Sequence, residues 1–529
     1  MRPRQELVNL IKQNGVTKRC SRAGLPTAGS PGAKDGIMMT KVSSAWLLAY
    51  FLVFAASMIM TACGGGGGGS SAVVPDEGWV RQFGSTALDE TYIMAVDGSG
   101  NVYIAGATMG NLDGNTNQGA GDIFLSKYDV LGNRLWTRTL GSSIDDAAFA
   151  IAVDGSGNVY IAGYAGDIIP GLQLGADLGG ADIVLAKYDG SGNLLWGRQT
   201  GTTSNDRVTC MALDGNGGVY IAGDTFGNMD VNVNQGLADV FIMRFDTAGN
   251  WYWTRSWGSS GWDEVAGLIC NGGYAYIVGN FELNNDFFYT RFDASGSASW
   301  PPTPNSTWDG PSIDYISGIA VDGNGNIYIA GSTNGGWGDG YPNTGGFDLF
   351  VAKYGGGDIN NWLWTRLWGS TADERVDVNC IVVTSGGDVY ISGTTSGQLD
   401  GNTNQGMMDV FLVKYDTSGN RLWTRTLGSS VNDLPMGLAL DGSGNIYIAG
   451  VTYGNLEGMT NQGSVDIFGA RYDSSGNRLW LSVLGSSEME YLAGIAVDGI
   501  DLYAAGYTNG VMDGTNAGSF DIYLTKYAP

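Results

Sequence analysis

The chain has 529 residues, 87 of them Gly and none of them His, with 27 Lys and Arg against 52 Asp and Glu. The missing His excludes Ser-His-Asp and Cys-His nucleophile sites and His-ligated zinc. The 43% apolar content supports a large core, and the acidic excess repels a phosphate backbone, which makes nucleic acid a poor partner.

The charge is uneven along the chain. Residues 1–62 hold 8 basic and 2 acidic residues, leaving 19 basic against 50 acidic in residues 63–529, a net charge of −31. Residues 1–37 are too long for the charged start of a leader, so they read as a non-native N-terminal extension, with the natural start expected at Met38 or Met39. Lys41 then precedes an uncharged apolar run at 45–60, short for a membrane span and suited to the core of a signal peptide over 38–62. Met60-Thr61-Ala62-Cys63 resembles the bacterial lipobox. That resemblance implies lipidation of Cys63 and a membrane anchor in the cell envelope, and Gly64 in place of Asp favours the outer membrane. Gly64 to Gly69, Ser70 and Ser71 cannot pack, so 63–78 reads as the lipidated Cys and a flexible tether. Cys20, Cys210, Cys270 and Cys380 form no CxxC pair, and the last three fall in predicted strands as small buried apolar residues.

From residue 79 onward the chain repeats. Asp-Gly-Ser-Gly-Asn-Val-Tyr-Ile-Ala-Gly stands at 97–106 and again at 154–163. Its relatives centre on Tyr103, Tyr160, Tyr220, Tyr276, Tyr328, Tyr390, Tyr447 and Tyr503, eight copies at a near-fixed period. Each copy reads as four short strands. In the second these are Phe149 to Val153, Val159 to Tyr164, Asp182 to Tyr188 and Leu194 to Thr200, with tight Asp-Gly-Ser-Gly-Asn turns at 154–158 and 189–193. A sheet this small needs neighbours on both faces, and radial stacking supplies them. The last copy stops after its third strand, and the missing Trp-x-Arg strand stands at the front as Trp79-Val80-Arg81. The expected fold is therefore all-β: a single, monomeric eight-bladed propeller over 79–529, closed by the N-terminal strand completing the last blade.

Trp-x-Arg recurs at Trp136/Arg138, Trp196/Arg198, Trp253/Arg255, Trp364/Arg366 and Trp423/Arg425, while Trp300-Pro301-Pro302 replaces it in blade 4. Two-residue spacing puts both side chains on one strand face. The Trp is expected between blades, and the Arg on a recurring acid at Asp89, Asp146, Asp206, Asp263, Asp373 and Asp433. On these motifs the chain resembles the SBBP family of bacterial β-propeller repeats, over about residues 79–527. The resemblance implies the architecture and no catalytic set. The run Asp129 to Trp136 is also similar to the Asp-x-x-Gly-x-x-x-Trp turns of quinoprotein-type propellers. The adjacent Cys typical of many of their alcohol dehydrogenases are absent, so no quinone cofactor is expected.

The long loop after the second strand and the link between blades share one end of the ring, and that variable end is the predicted binding face. There Asp113, Asn115 and Asn117 with Asp122 form an oxygen-rich pattern that recurs as Asp230, Asn232, Asn234 and Asp239, and as Asp400, Asn402, Asn404 and Asp409. Oxygen ligands at positions 1, 3 and 5 suit calcium, and an Asx-turn role fits the same residues. A fourth copy at Glu457 has Met459 at its third position. Trp262, Trp308 and Trp337 fall outside the repeat and are candidate ligand-stacking residues. No unique carboxylate pair stands out, so a lyase or glycosidase is not expected. The expected function is non-catalytic: an envelope lipoprotein that binds or scaffolds a protein partner, with a glycan-binding module as the alternative.

Overall fold

In the computed structural model the chain divides into two units, Met1–Gly65 and Gly66–Pro529. The described residues are 78–175, 179–229, 233–281, 286–298, 312–336, 343–358 and 360–527, all within the second unit. They form eight antiparallel blades. Blade 1 runs Asp89–Val96, Val102–Thr108, Asp122–Tyr128 and Arg134–Leu140, and the spatial order is the chain order. Blades 2, 3, 5, 6 and 7 repeat this from Asp146, Asp206, Asp314, Glu374 and Asp433. Blade 4 has three described strands, Asp263–Asn271, Tyr274–Phe281 and Asp286–Asp293. Blade 8 takes Glu490–Asp498, Asp501–Thr508 and Asp521–Tyr527, and its outer strand is Trp79–Phe83. Trp79 pairs with Lys526 and Phe83 with Ile522, so the predicted closure is the observed one.

The first strand of every blade touches the first strands of both neighbours, and blade 8 touches blade 1, so the inner strands ring a central channel. Eight buried apolar clusters fill the gaps, each shared by two adjacent blades. The cluster joining blade 8 to blade 1 includes Met94, Ile104, Phe124, Tyr503 and Leu524. Cys210 and Cys270 are half-buried rather than fully buried, packed on the cluster between blades 3 and 4.

One glycine per blade explains the Tyr-Ile-Ala-Gly signature. Every inner strand carries a β-bulge after its third residue, as between Thr91 and Ile93. Facing the bulge is Gly106 in blade 1 and its equivalent in the other blades, where a Cβ would collide with the carbonyl of the inner strand's second residue. Removing that Cβ lets the bulge form, and a bulge re-aims the side chains around it.

The outer strand latches each blade to the next. The Trp136 ring lies on Gly192 of the blade 2 turn, and its Nε1 donates to Gly190 O at 3.2 Å. Arg138 Nε donates to Gly192 O at 2.8 Å. Arg81, Arg198, Arg255, Arg366 and Arg425 make the same bond to Gly132, Gly249, Gly296, Gly419 and Gly476. Each of these guanidiniums also lies over the Trp two residues before it. This corrects the expected Arg–acid pairing. The turn presents carbonyls within reach of the guanidinium, whereas the recurring acids sit at the opposite end of the blade. Within that acid series Glu374, not Asp373, takes the blade 6 position, and Asp373 instead pairs with Arg375 at 3.8 Å.

Trp364 is 8% exposed and Leu422, on the outer strand of the next blade, is 51% exposed. Trp364→Ala is expected to destabilise the ring by roughly 3 kcal/mol, from lost burial and a cavity between blades 5 and 6. Leu422→Ala is expected to stay within about 0.5 kcal/mol of the parent. Urea midpoints of the two variants check both values.

Candidate functional site

The two ends of the ring handle carboxylates in opposite ways. At the tight-turn end each Asp opens a hairpin and is satisfied locally. Asp189 Oδ1 accepts the N–H groups of Ser191 and Asn193, both at 2.9 Å, and Oδ2 accepts Asn193 Nδ2 at 2.8 Å. The Asn193 amide and those N–H groups hold Asp189 below the usual carboxylate range. The equivalent bonds do the same for Asp473.

At the long-loop end an acid heads the first and third strand of every blade. These acids converge in pairs across blade junctions. A Cβ on Gly201 would meet Asp182 Oδ1 and Asp206 Oδ2, and one on Gly369 would meet Asp348 and Glu374. The inner-strand acid is held by the linker: Ser142 N donates to Asp146 Oδ2 at 2.5 Å and Ser142 Oγ to Oδ1 at 2.9 Å. The third-strand acid accepts an N–H on one oxygen, as Asp122 does from Gln118 at 2.9 Å. Its other oxygen is buried without a partner in Asp122, Asp348, Asp409 and Asp521. Burial, with the neighbouring charge of Asp122, pushes Asp146 up to about 7 despite the Ser142 bonds. Burial and Asp206 push Asp182 up to about 7. Burial likewise raises Asp206, Asp239 and Asp433 to about 6.

Inside this acidic ring lies the mouth of the channel, and here the repeat stops repeating. The second residue of the inner strand is Glu90, Ala147, Arg207, Glu264, Tyr315, Arg375, Leu434 or Tyr491, in blade order. Its partner on the second strand is Ala107 in blade 1, Tyr164 in blade 2, Asp224 in blade 3 and Tyr507 in blade 8. Arg207 Nε meets Asp224 Oδ2 at 2.6 Å. Glu264 accepts Asn280 Nδ2 at 3.3 Å. Arg375 lies over the Phe347 ring at 4.3 Å. In blade 6 the bulge is enlarged, and burial pushes Asp377 up to about 7 while Arg375 opposes the shift. Sequence reasoning missed this set because it looked for single motifs. Aligning the eight copies by column finds it, as the position after the acid at which the residue ranges over acidic, basic, aromatic and apolar types.

The oxygen-rich loop residues each have separate partners. Asp113 Oδ1 pairs with Arg134 at 2.5 Å and its Oδ2 accepts Thr137 Oγ1 at 2.5 Å. Asn115 Nδ2 donates to Leu112 O, Asn117 Nδ2 to Thr108 O, and Asn117 Oδ1 accepts Gly119 N. Asp400 pairs with Arg421 and Thr424, and Asn402 and Asn404 donate to Leu399 O and Thr395 O. The fourth copy keeps the pattern, with Glu457 on Arg478 at 2.5 Å. Asp409 lies against Gly428 and its charge helps raise Asp433, and Asp239 approaches Asp263 at Gly258. Asn234 donates to Thr225 O, and Asp230 and Asn232 lie outside the described residues. No group of three or more His, Cys, Asp or Glu able to share a metal ion occurs among the described residues. Trp262 is half-buried with its ring edge-on to Phe226 at 5.3 Å. Trp308, Trp337, Cys63 and the segment 38–62 lie outside the described residues.

With the eight blades and their latches in place, the likeness to known proteins is specific in three stretches. The SBBP beta-propeller repeat matches residues 78–113, 309–336 and 422–457. The chain carries SBBP β-propeller repeats. It is 25% identical over 395 residues to the regulatory protein FlaEY of Caulobacter vibrioides, covering 65% of this chain and 41% of that protein. It is 22% identical over 454 residues to the uncharacterized WD repeat-containing protein L264 of Acanthamoeba polyphaga mimivirus, covering 73% of this chain and 31% of that one. The chain thus spans less than half the length of either relative. Among solved structures it is similar to a PL25 ulvan lyase, at 10% identity and TM-score 0.42, covering 84% of this chain and 95% of that one. It is also similar to prolyl oligopeptidase B from Galerina marginata, at 10% identity and TM-score 0.41, covering 79% and 55%.

The two acid sets predict a stability maximum. The junction acids have folded pKa values raised above the unfolded 3.8, so their contribution is complete below about pH 4 and is lost as pH rises through 6 to 7. The turn acids, held below the usual range, act oppositely and lose their contribution as pH falls below about 4. The melting temperature is expected to peak between about pH 4 and 6 and to fall toward pH 8. Asp182→Asn is expected to flatten part of the upper slope in a thermal scan across that range.

Proposed function

We propose that this chain is a non-catalytic binding module of the cell envelope, held to the membrane by lipid on Cys63, whose propeller takes a protein partner at the long-loop mouth. The supporting observation is the variable column. Acids, glycines, turns and latches recur around the ring, while the second residue of the inner strand changes from blade to blade among acidic, basic, aromatic and small side chains. Such a column on a rigid frame is how a repeat fold makes one specific surface. A regulatory protein and a WD repeat-containing protein among the relatives agree with a binding role. Fold alone carries no activity, and the proposal rests on the site.

A glycan ligand is the second reading, favoured by Trp251 and Trp362. Both rings are exposed on outer strands, and their N–H groups are taken by Thr254 and Thr365. Exposed indoles of this kind suit stacking on sugars.

Affinity capture from solubilised cell envelope with the full chain as bait is the test. One defined protein is expected from the parent, reduced at least tenfold with the double variant Glu264→Ala/Arg375→Ala, whose two side chains are exposed at the mouth. Recovery of polysaccharide without protein would transfer the proposal to the glycan reading. Cys63→Ala is expected to abolish incorporation of labelled palmitate and to move the chain out of the membrane fraction. Unchanged fractionation and labelling would sink the lipid anchor.

A further inference from the structure

Six outer strands leave their tight turns with an exposed apolar side chain. The second residue of that strand is Leu135, Leu195, Tyr252, Leu363, Leu422 or Leu479 in blades 1, 2, 3, 5, 6 and 7. All six are between 47% and 54% exposed. They hold one position of the repeat, so they stand at one height around the rim, next to the turns. In blades 3 and 5 the preceding residue is Trp251 or Trp362, exposed as well, with its N–H taken by a threonine. Single exposed leucines are ordinary on a protein surface, whereas a belt of them at one level marks a contact.

Charge is balanced at this end. Lys187, Lys353, Lys414, Arg471 and Lys526 of the third strands pair with Asp154, Asp322, Asp388, Asp441 and Asp501 at the first turns. The latch arginines carry positive charge into the second turns, as Arg366 does on Ser418 O and Gly419 O. At the long-loop end acids face acids across the junctions instead. Exposed apolar residues there, such as Leu237 and Met407, stand two residues before the junction acids Asp239 and Asp409.

The chain also enters the ring at the turn end. Trp79 pairs with Lys526 near the close of the third strand, and its ring lies on Gly132 of a blade 1 turn. Cys63 stands 16 residues earlier. A chain of that length spans at most about 55 Å, and a Gly-rich one averages about 22 Å end to end. A lipid on Cys63 therefore draws the turn end toward the bilayer ahead of the mouth.

We propose that the ring rests its turn end on the bilayer, with the apolar belt entering the lipid interface and the long-loop mouth facing away from it. Trp and Tyr suit the boundary between headgroups and acyl chains, and a second apolar contact strengthens a lipid anchor. Matched charges spare this end the repulsion that an anionic surface exerts on the long-loop end. This rests on the lipid-anchor reading above and adds the orientation of the ring.

Tryptophan fluorescence of the lipidated full chain in phosphatidylcholine vesicles, with and without bromine on the acyl chains, tests the seating. Bromine quenches indoles that reach the lipid. Leu422→Trp is expected to add emission that brominated vesicles quench at least twofold, and Met407→Trp to add emission that they leave unchanged. Trp251→Phe/Trp362→Phe is expected to remove at least half of the parent's quenching, and so is Leu135→Ser/Leu195→Ser/Leu479→Ser. Melting temperatures at the parent value show that the variants keep the ring. Emission added by Met407→Trp that is quenched as much as that of Leu422→Trp overturns the seating, as does parent quenching unmoved by Trp251→Phe/Trp362→Phe. A parent that incorporates labelled palmitate and shows no quenching overturns the seating and leaves the anchor standing. A parent that takes up no palmitate overturns the anchor, and the orientation with it.

Discussion

The face of an indole resting on a glycine of the next blade is the contact on which the ring depends. Gly192 has φ 80, so it closes the Asp189–Asn193 hairpin in a conformation that side-chain-bearing residues rarely adopt. The same residue lacks the Cβ that would strike Trp136. One glycine therefore shapes its own blade and admits its neighbour. With the indole seated, the guanidinium two residues on lies over it and reaches the carbonyl of that glycine. Where the latch has nothing to grip, the sequence changes. Blade 8 pairs Asp521–Tyr527 with Trp79–Phe83, which are not joined by a hairpin turn, and blade 7 faces it with Ser482 where Arg81, Arg138, Arg198, Arg255, Arg366 and Arg425 stand in other outer strands. Trp480 keeps its place by stacking on Tyr527 at 5.8 Å.

A strongly acidic chain must still fold at neutral pH, and the two ends of the ring manage this differently. At the turn end, the carboxylates stay ionised because backbone and Asn donors surround them at no cost in burial. At the long-loop end, acids are buried face to face across each junction, where ionising both is unfavourable. The proton is then a component of the junction. Burying acids here is weak support for stability by itself, yet it sets the register of one blade on the next, because the linker Ser or Thr and the inner-strand acid meet in a single geometry.

The period, the four strands per copy and the ring closure were legible in the sequence because each is a local pattern copied many times. Trp79-Val80-Arg81 at the front and Asp521 to Tyr527 at the back belong visibly to one blade. The partner of the Arg was not legible. Sequence spacing gives the face of a strand but not which end of the neighbouring blade it meets, and the true acceptors are backbone carbonyls that every residue possesses. The loop pattern beginning at Asp113 was legible as chemistry, and its role was open between metal and turn. The Arg134 that pairs with it lies 21 residues on, across a hairpin, where no short motif connects them. The mouth was hidden for the opposite reason. Its residues share a column and not a type, so a search for recurring residues passes over them.

Why variation is confined to that column follows from the bulge. The backbone there is set by Gly106 and its equivalents, together with the acid one position before. The third residue of the inner strand turns into the blade core, as Thr91, Ala148, Val208 and Leu492 do. The second residue makes neither the bulge nor the junction pair, and its surroundings differ from blade to blade: Glu90 and Ala147 are buried, Glu264 and Arg375 exposed. A frame that removes bulge and junction duty from one position in each of eight blades leaves that position open to selection for a ligand.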